Sequence, residues 1–276
     1  MLELLEQLFR QVRVYAQSER YDRKQIYTQT PTRTTMLFDR EAEDLIISGL
    51  EESGHGFEVI TEEREIFSTT PDPLYRIVVD PIDGSTNVAR GIMTAGIALA
   101  VLPIEAPILP EQVQWALVGE LFSGTVYQAR RGGGAFRNGR RCHVSNVKTI
   151  QHCLAGINLD GRAPDAIKSL LLENPPGNLR STGSPAIDSV YVANGTYDAY
   201  IDVGNLLTGE SFLASASIVL EAGGIVGDDR GQPLRPITNL TDGYSLVMAG
   251  TKELYQEILS KVHSFEAVGD KQDEHF

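Results

Sequence analysis

Apolar residues recur at helical spacing in the opening stretch MLELLEQLFRQVRVYAQ, where Leu4, Leu5, Leu8, Phe9, Val12 and Ala16 share one face. The segment DREAEDLIISGL repeats the pattern with Ala42, Leu45, Ile46, Gly49 and Leu50. Two helices are thus expected before the first strand, FEVI. Strand-like runs then follow closely: YRIVV, TAGIALAVL, VQWALVGEL, GTVYQA and GAFRNGRR, the last with Asn138 and Gly139 at a hairpin turn. Residues 1–150 therefore read as an α+β half with a largely antiparallel sheet. From CLAGINLD onward the periods alternate: helices in APDAIKSLLLE and PAIDSVYVANG, strand YDAYIDV, helix GESFLASASIVLEAGG, strand YSLVMAG and a final helix from Thr251. That alternation predicts an α/β half over 151–276. The proline-bearing LPIEAPILPEQ is expected as a surface loop, and the tail GDKQDEHF as a frayed end.

A chain of 276 residues can bury a large core as one domain or two. Its net charge of -13 argues against a general polyanion binder, so no nucleic-acid partner is expected. The longest uncharged apolar run, GIMTAGIALAVLPI, is too short and too rich in glycine and proline to span a bilayer. The N-terminus has no basic leader ahead of an apolar stretch. A soluble, cytoplasmic protein without a membrane partner is the expectation. Cys142 and Cys153 fit no metal spacing, and two thiols in this length suggest a reducing compartment.

The candidate chemistry lies in RIVVDPIDGSTNVARG, residues 76–91. Pro81 lacks an amide proton and fixes φ, so the strand is expected to end at Asp80 and the chain to turn there. The turn lets Asp83 point back beside Asp80 and frees the Ile82 carbonyl from the ladder. Two carboxylates and a carbonyl in one small volume suit a hard dication such as Mg²⁺, which also relieves their repulsion. If a helical turn starts here, the amides of Gly84, Ser85 and Thr86 form an anion cradle on the same side. Metal plus amide cradle reads as a phosphate site. An EF-hand loop is excluded, because glycine comes fifth rather than sixth and the flank is a strand. An aspartyl-nucleophile phosphatase places its two aspartates two apart, whereas these are three apart. The remaining alternative is that the aspartates merely cap a turn.

The octet DPIDGSTN resembles the signature of the inositol monophosphatase family, within the lithium-sensitive, magnesium-dependent sugar-phosphatase superfamily that includes fructose-1,6-bisphosphatases. VITEER, ARRGGGAFRNGRRCHVS, LRSTGSPA, YDAYIDVG and IVLEAGG resemble further family segments in order, from about residue 37 to the last helix. The resemblance implies a layered αβαβα sandwich, two or three Mg²⁺ ions, a homodimer and sensitivity to lithium. It implies that Asp80 bridges two ions, with Glu63 and the Ile82 carbonyl on the first and Asp83 on the second. Two metals on adjacent carboxylates suit phosphate ester hydrolysis by activated water. Asp39 and Ser85 match the water-activating pair, with serine where the family has threonine, although Asp39 also suits capping of a helix start. Gly183, Ser184 and Asp202 match substrate-side positions; a plain surface carboxylate is the other reading of Asp202.

The family's second signature usually places Trp-Asp ahead of the helix ending in EAGG. Here Glu210 and Ser211 stand at those two positions, and Glu210 is expected to complete the second metal; the pair merely beginning a helix is the alternative. A solvated charge run is the bland reading of Glu62, Arg64 and Glu65, and the preferred one for Glu65. Gly132, Gly133 and Gly134 read as turn geometry rather than a phosphate cradle, and the five histidines fall in no ligand spacing. The expected function is a Mg²⁺-dependent phosphomonoesterase for a small phosphorylated metabolite, inositol 1-phosphate first and fructose 1,6-bisphosphate second. Its rival is an inactive relative that binds metal or phosphorylated ligand.

Overall fold

The computed structural model describes residues 1–18, 22–29, 34–62, 64–159, 168 and 170–269. Helices α1 (Leu2–Gln17) and α2 (Leu37–Glu52) bury the faces expected of them, with Leu5, Leu8, Phe9, Val12, Ala42, Ile46 and Leu50 closed from solvent. They cover one face of an eight-stranded sheet ordered β10-β9-β8-β7-β6-β5-β3-β4. Its strands are β3 (Phe57–Thr61), β4 (Phe67–Ser68), β5 (Tyr75–Asp83), β6 (Gly96–Pro103), β7 (Trp115–Glu120), β8 (Val126–Arg130), β9 (Gly134–Arg137) and β10 (Arg140–Arg141). All neighbouring pairs are antiparallel except β3 with β5. Asn138 and Gly139 take positive φ of 47° and 76° at the β9–β10 turn, as the dipeptide requires.

The other face of this sheet packs on α4 (Pro185–Val190) and α5 (Gly209–Glu221), whose far sides meet a second sheet. That sheet is ordered β12-β11-β13-β15-β14, with β11 (Leu154–Ile157), β12 (Asn178–Arg180), β13 (Ala199–Leu207), β14 (Ile225–Gly227) and β15 (Tyr244–Ala249). Helix α6 (Lys252–Gly269) closes its outer face through Leu254 and Ile258. The result is the αβαβα sandwich. Among the described residues no helix is long and apolar enough to cross a membrane.

The structure departs from the sequence expectations at several points. A hairpin of β1 (Ile26–Gln29) and β2 (Thr34–Met36) precedes FEVI; β1 is exposed along its whole length, so it shows no alternation to read. The second sheet is mixed, since β13 and β14 both pair with β15 antiparallel. LPIEAPILPEQ is no free loop: Ile108 is buried in the core and its carbonyl accepts the Ile237 N–H at 2.9 Å. Most of the helix expected in APDAIKSLLLE, and the tail from Asp270, lie outside the described residues.

The departure that shapes the site is in β5, which does not stop at Asp80 but runs through Pro81 to Asp83. Asp80 pairs with Ala98 and Asp83 with Gly96, so three steps on β5 match two on β6. This is a bulge with one extra residue. The proline falls where the ladder is already broken and its missing N–H costs nothing. Residues three apart on a regular strand point to opposite faces, and the bulge restores both aspartates to one face, toward α4 and α5.

Candidate active site

Asp80 (5 % exposed) and Asp83 (3 %) are anchored from the helix layer. Ser211 Oγ donates to Asp80 Oδ2 at 3.3 Å, and Asp83 Oδ2 accepts the Ser184 hydroxyl and the Ala186 N–H, the latter at 2.9 Å. Burial pushes the Asp80 carboxyl well above its usual range, and Asp83, Glu62, Glu210 and Asp39 add to the rise in that order. Asp83 is raised to about 7 by burial, against the bonds from Ser184 and Ala186 and with Asp188 adding to the rise. Five acids from α2, β3's end, β5 and α5 thus bear on one buried point.

The chain then turns at Gly84, whose φ of 92° favours glycine. A Cβ there would also lie 3.2 Å from the Thr94 carbonyl and 3.3 Å from that of Gly183. Helix α3 (Ser85–Arg90) starts at once, and its first internal bonds run from the Asn87 and Val88 amides to Gly84 O. The amides of Gly84, Ser85 and Thr86 precede that ladder, where a helix start leaves donors for an anion. Ser85 Oγ donates to the Ile82 carbonyl at 3.1 Å. Asn87, the last residue of the signature octet and assigned no role from the sequence, is buried and donates to the carbonyls of Thr94 (2.8 Å) and Thr182 (2.7 Å). It ties the signature turn to the Gly183–Ser184 turn.

The remaining expected residues fall as follows. Asp39 is buried at the third position of α2, where Oδ2 accepts the Met36 N–H at 3.3 Å. It therefore caps the helix and faces Asp80. Glu63 lies outside the described residues. Glu62, read as part of a solvated run, is half-buried and bears on Asp80. Arg64 is no solvated charge either: Nε donates to Glu43 Oε2 at 2.8 Å and Nη2 bonds Asp44, while Arg40 Nη1 meets Glu43 at 3.0 Å. Glu43 is 1 % exposed and stands one turn beyond Asp39 on α2. The network fastens the Glu62 segment to that helix. Asp202 is no surface carboxylate but fully buried, its Oδ2 accepting Asn158 Nδ2 at 2.8 Å. The Gly132 and Gly134 amides do bind an anion, but an internal one: both donate to the Glu221 carboxylate at 2.8 Å.

Among the described residues no three acidic, histidine or cysteine side chains form a ready metal-ligand group. The donor set nonetheless fits a hard dication: the buried carboxylates repel one another, and the neighbouring side chains that act most strongly on Asp80 are all acids.

These shifts predict how the metal-free protein responds to pH. Asp83 is raised from 3.8 to about 7, so between those values the folded chain holds protons that the unfolded chain has released. Stability is fully present below about pH 4 and falls as pH rises through about 7, and Asp80 acts in the same direction. Melting in chelator should occur at a higher temperature at pH 5 than at pH 8, and added Mg²⁺ should narrow the gap. An equal or opposite trend would mean these carboxyls are not raised. Arg64→Gln should weaken Mg²⁺ binding about tenfold by calorimetry, as loss of supporting contacts does. The melting temperature in chelator should change little, since Arg40 stays on Glu43.

The inositol monophosphatase family profile matches residues 2–267. The chain is 34 % identical over 239 residues to a fructose-1,6-bisphosphatase/inositol-1-monophosphatase of Methanothermobacter thermautotrophicus, covering 83 % of this chain and 82 % of that protein. It is 32 % identical over 232 residues to the inositol-1-monophosphatase of Mesorhizobium japonicum, covering 81 % and 80 %. The solved Thermotoga maritima IMPase superposes with a TM-score of 0.79 at 22 % identity, over 96 % of this chain and 98 % of that one, a likeness of fold. With the signature turn, the layered sandwich and a profile match along nearly its whole length, this chain belongs to the inositol monophosphatase family.

Proposed function

We propose that this phosphoric monoester hydrolase releases phosphate from a small polyol or sugar phosphate, with Mg²⁺ as cofactor, two or three ions per site. Inositol 1-phosphate and fructose 1,6-bisphosphate are the leading substrates. The observation that supports the reading is the convergence of Asp83, Glu62, Glu210 and Asp39 on buried Asp80, next to the amides of the signature turn. Asp80, Asp83, the Ile82 carbonyl, Glu210 and a glutamate of the 62–63 pair would hold the ions. When bound, these supply positive charge for the phosphoryl and leaving oxygens and acidify the attacking water. The chain's own part is positional. The amides of Gly84, Ser85 and Thr86 bind the phosphoryl oxygens. Ser85 spends its proton on the Ile82 carbonyl, which leaves its oxygen as an acceptor for the attacking water. Asp39, fixed by the Met36 N–H, accepts the water proton. Ser184 holds Asp83 in place and Gly183 lies against the Gly84 turn, both on the substrate side; Asp202 serves the substrate side through Asn158. The protein acts as a cytoplasmic homodimer.

One observation favours the alternative of an inactive relative that binds metal or phosphorylated ligand: Ser211 stands where the family places an aspartate, and it meets Asp80 at 3.3 Å. A phosphate-release panel separates the two. It would cover inositol phosphates, fructose 1,6-bisphosphate, adenosine 3′,5′-bisphosphate and NADP, with and without Mg²⁺ and with Li⁺ as inhibitor. Mg²⁺-dependent release from a polyol or sugar phosphate is expected; binding without release from any compound would establish the alternative.

A further inference from the structure

A cavity of about 330 Å³ lies between the end of β3, the approach to β4 and the loop before β15. Buried Ile60, Ile108 and Ile237 give it an apolar lining, joined by half-buried Leu240 and by Ile66, which is 59 % exposed. Its size, and its apolar lining set with a few polar groups, are those of a small-molecule pocket. Backbone bonds hold the walls. The Ile237 N–H donates to the Ile108 carbonyl, and the Thr241 N–H to Asn239 Oδ1, both at 2.9 Å.

The charges select one sign of ligand. Glu62 and Glu65 line the cavity, whereas the one basic residue among its described lining, Arg64, already bonds Glu43 and Asp44. A phosphate or carboxylate entering there meets two acids and no uncommitted base, so its desolvation goes uncompensated. An ammonium group instead gains charge-assisted bonds to the glutamates while its carbon skeleton covers the isoleucines. A bare inorganic cation would leave that apolar lining uncovered.

Two of the lining residues also belong to the surroundings of Asp80. Glu62 bears on its carboxyl. Ile237 packs on the start of α5, so closely that a Cβ on Gly209, next to Glu210, would lie 2.7 Å from Ile237 Cδ1. A positive charge held at Glu62 repels dications gathered around Asp80 and competes with them for that carboxylate. Occupancy of the cavity and metal binding are then linked, each weakening the other by the same factor. We propose that this cavity is a regulatory site for a small organic ammonium compound with an apolar body, whose binding weakens the protein's hold on Mg²⁺. The effect on Mg²⁺ rests on the reading of the carboxylates around Asp80 as metal ligands, whereas the binding itself does not.

The test is calorimetric titration of the full chain with Mg²⁺, in buffer alone and with 2-phenylethylammonium chloride, its neutral counterpart 2-phenylethanol, or sodium chloride at equal ionic strength. Each organic compound is used at about 10 mM, enough to fill a site of millimolar affinity. The ammonium compound should weaken Mg²⁺ binding about five- to tenfold, and the two controls less than about twofold. Leu240→Trp, which fills the cavity, and Glu65→Gln, which removes an exposed charge, should each reduce the ammonium effect while leaving Mg²⁺ affinity in buffer near that of the wild type. Melting curves check the fold of both, and Glu65→Gln leaves the core untouched. If the wild type binds no Mg²⁺, the metal reading fails on its own. Direct titration with 2-phenylethylammonium then reads the cavity: binding that Leu240→Trp abolishes and 2-phenylethanol does not match is expected, and its absence would overturn the proposal. With Mg²⁺ bound, so would no ammonium effect, an effect equalled by either control, or one unchanged in both variants.

Discussion

Asp80→Asn should reduce Mg²⁺-dependent phosphate release to background and at the same time raise the melting temperature of the metal-free protein. The two effects have one cause. Asp80 is buried in the midst of Asp83, Glu62, Glu210 and Asp39, so its ionised form is costly unless cations neutralise it. Asparagine keeps the shape and can still accept from Ser211 Oγ, which meets Oδ2 at 3.3 Å. It removes only the charge. Asp83→Asn should abolish turnover too but stabilise less, because its Oδ2 already receives bonds from Ser184 and Ala186 that an amide group satisfies only in one orientation. Phosphate release, melting in chelator and calorimetric Mg²⁺ binding would be measured together. Retained turnover in both variants would sink the metal assignment.

Glu210→Gln is the second large effect expected: the Mg²⁺ concentration for half-maximal activity should rise by an order of magnitude or more, with a fall in turnover. Glu210 is 2 % exposed in the first turn of α5 and raises the Asp80 carboxyl. Helix α5 seats closely here, since a Cβ on Gly209 would lie 2.7 Å from Ile237 Cδ1. Ser211 faces Asp80 and also pairs with Thr208 across the start of the helix at 3.3 Å, so it does combine a site contact with helix initiation. The helix dipole favours an acid at Glu210 without any metal, by roughly 0.3–1 kcal/mol. That effect would make Glu210→Gln mildly destabilising at unchanged metal affinity, whereas a ligand loses affinity. Ser211→Ala should change the activation curve little. Ser211→Asp should tighten Mg²⁺ binding. An activation curve unchanged in Glu210→Gln would show that Glu210 is not the ligand and favour a weakened or absent second metal.

Periodicity made α1 and α2 legible because each buries one face, and β5, β6 and β7 were legible as short apolar runs because they are buried on both faces, whereas the two-residue β4 is too short to read. The signature octet made Asp80, Asp83 and the turn at Gly84 legible as well. What stayed hidden depends on contacts between distant residues or on a broken period. Glu62 follows β3, where alternation no longer says which side chain turns inward, so a residue that bears on Asp80 reads in the sequence as part of a charge run. The Glu221 clamp on Gly132 and Gly134 joins positions almost ninety residues apart, and Asn87 reaches Thr182 across a similar distance. The pairing of Arg64 with Glu43 is equally silent, since a charge run looks the same whether solvated or bonded.

The bulge in β5 also bears on how such a chain can change over generations. Asp80 and Asp83 share a face only because one residue is extra between Ala98 and Gly96 on the partner strand. Substitutions at Pro81 or Ile82 leave that count intact. Losing or gaining a single codon there would swing one carboxylate to the α1–α2 face, into apolar packing, and cost the site outright. Drift in this stretch should therefore proceed by exchange of residues at constant length.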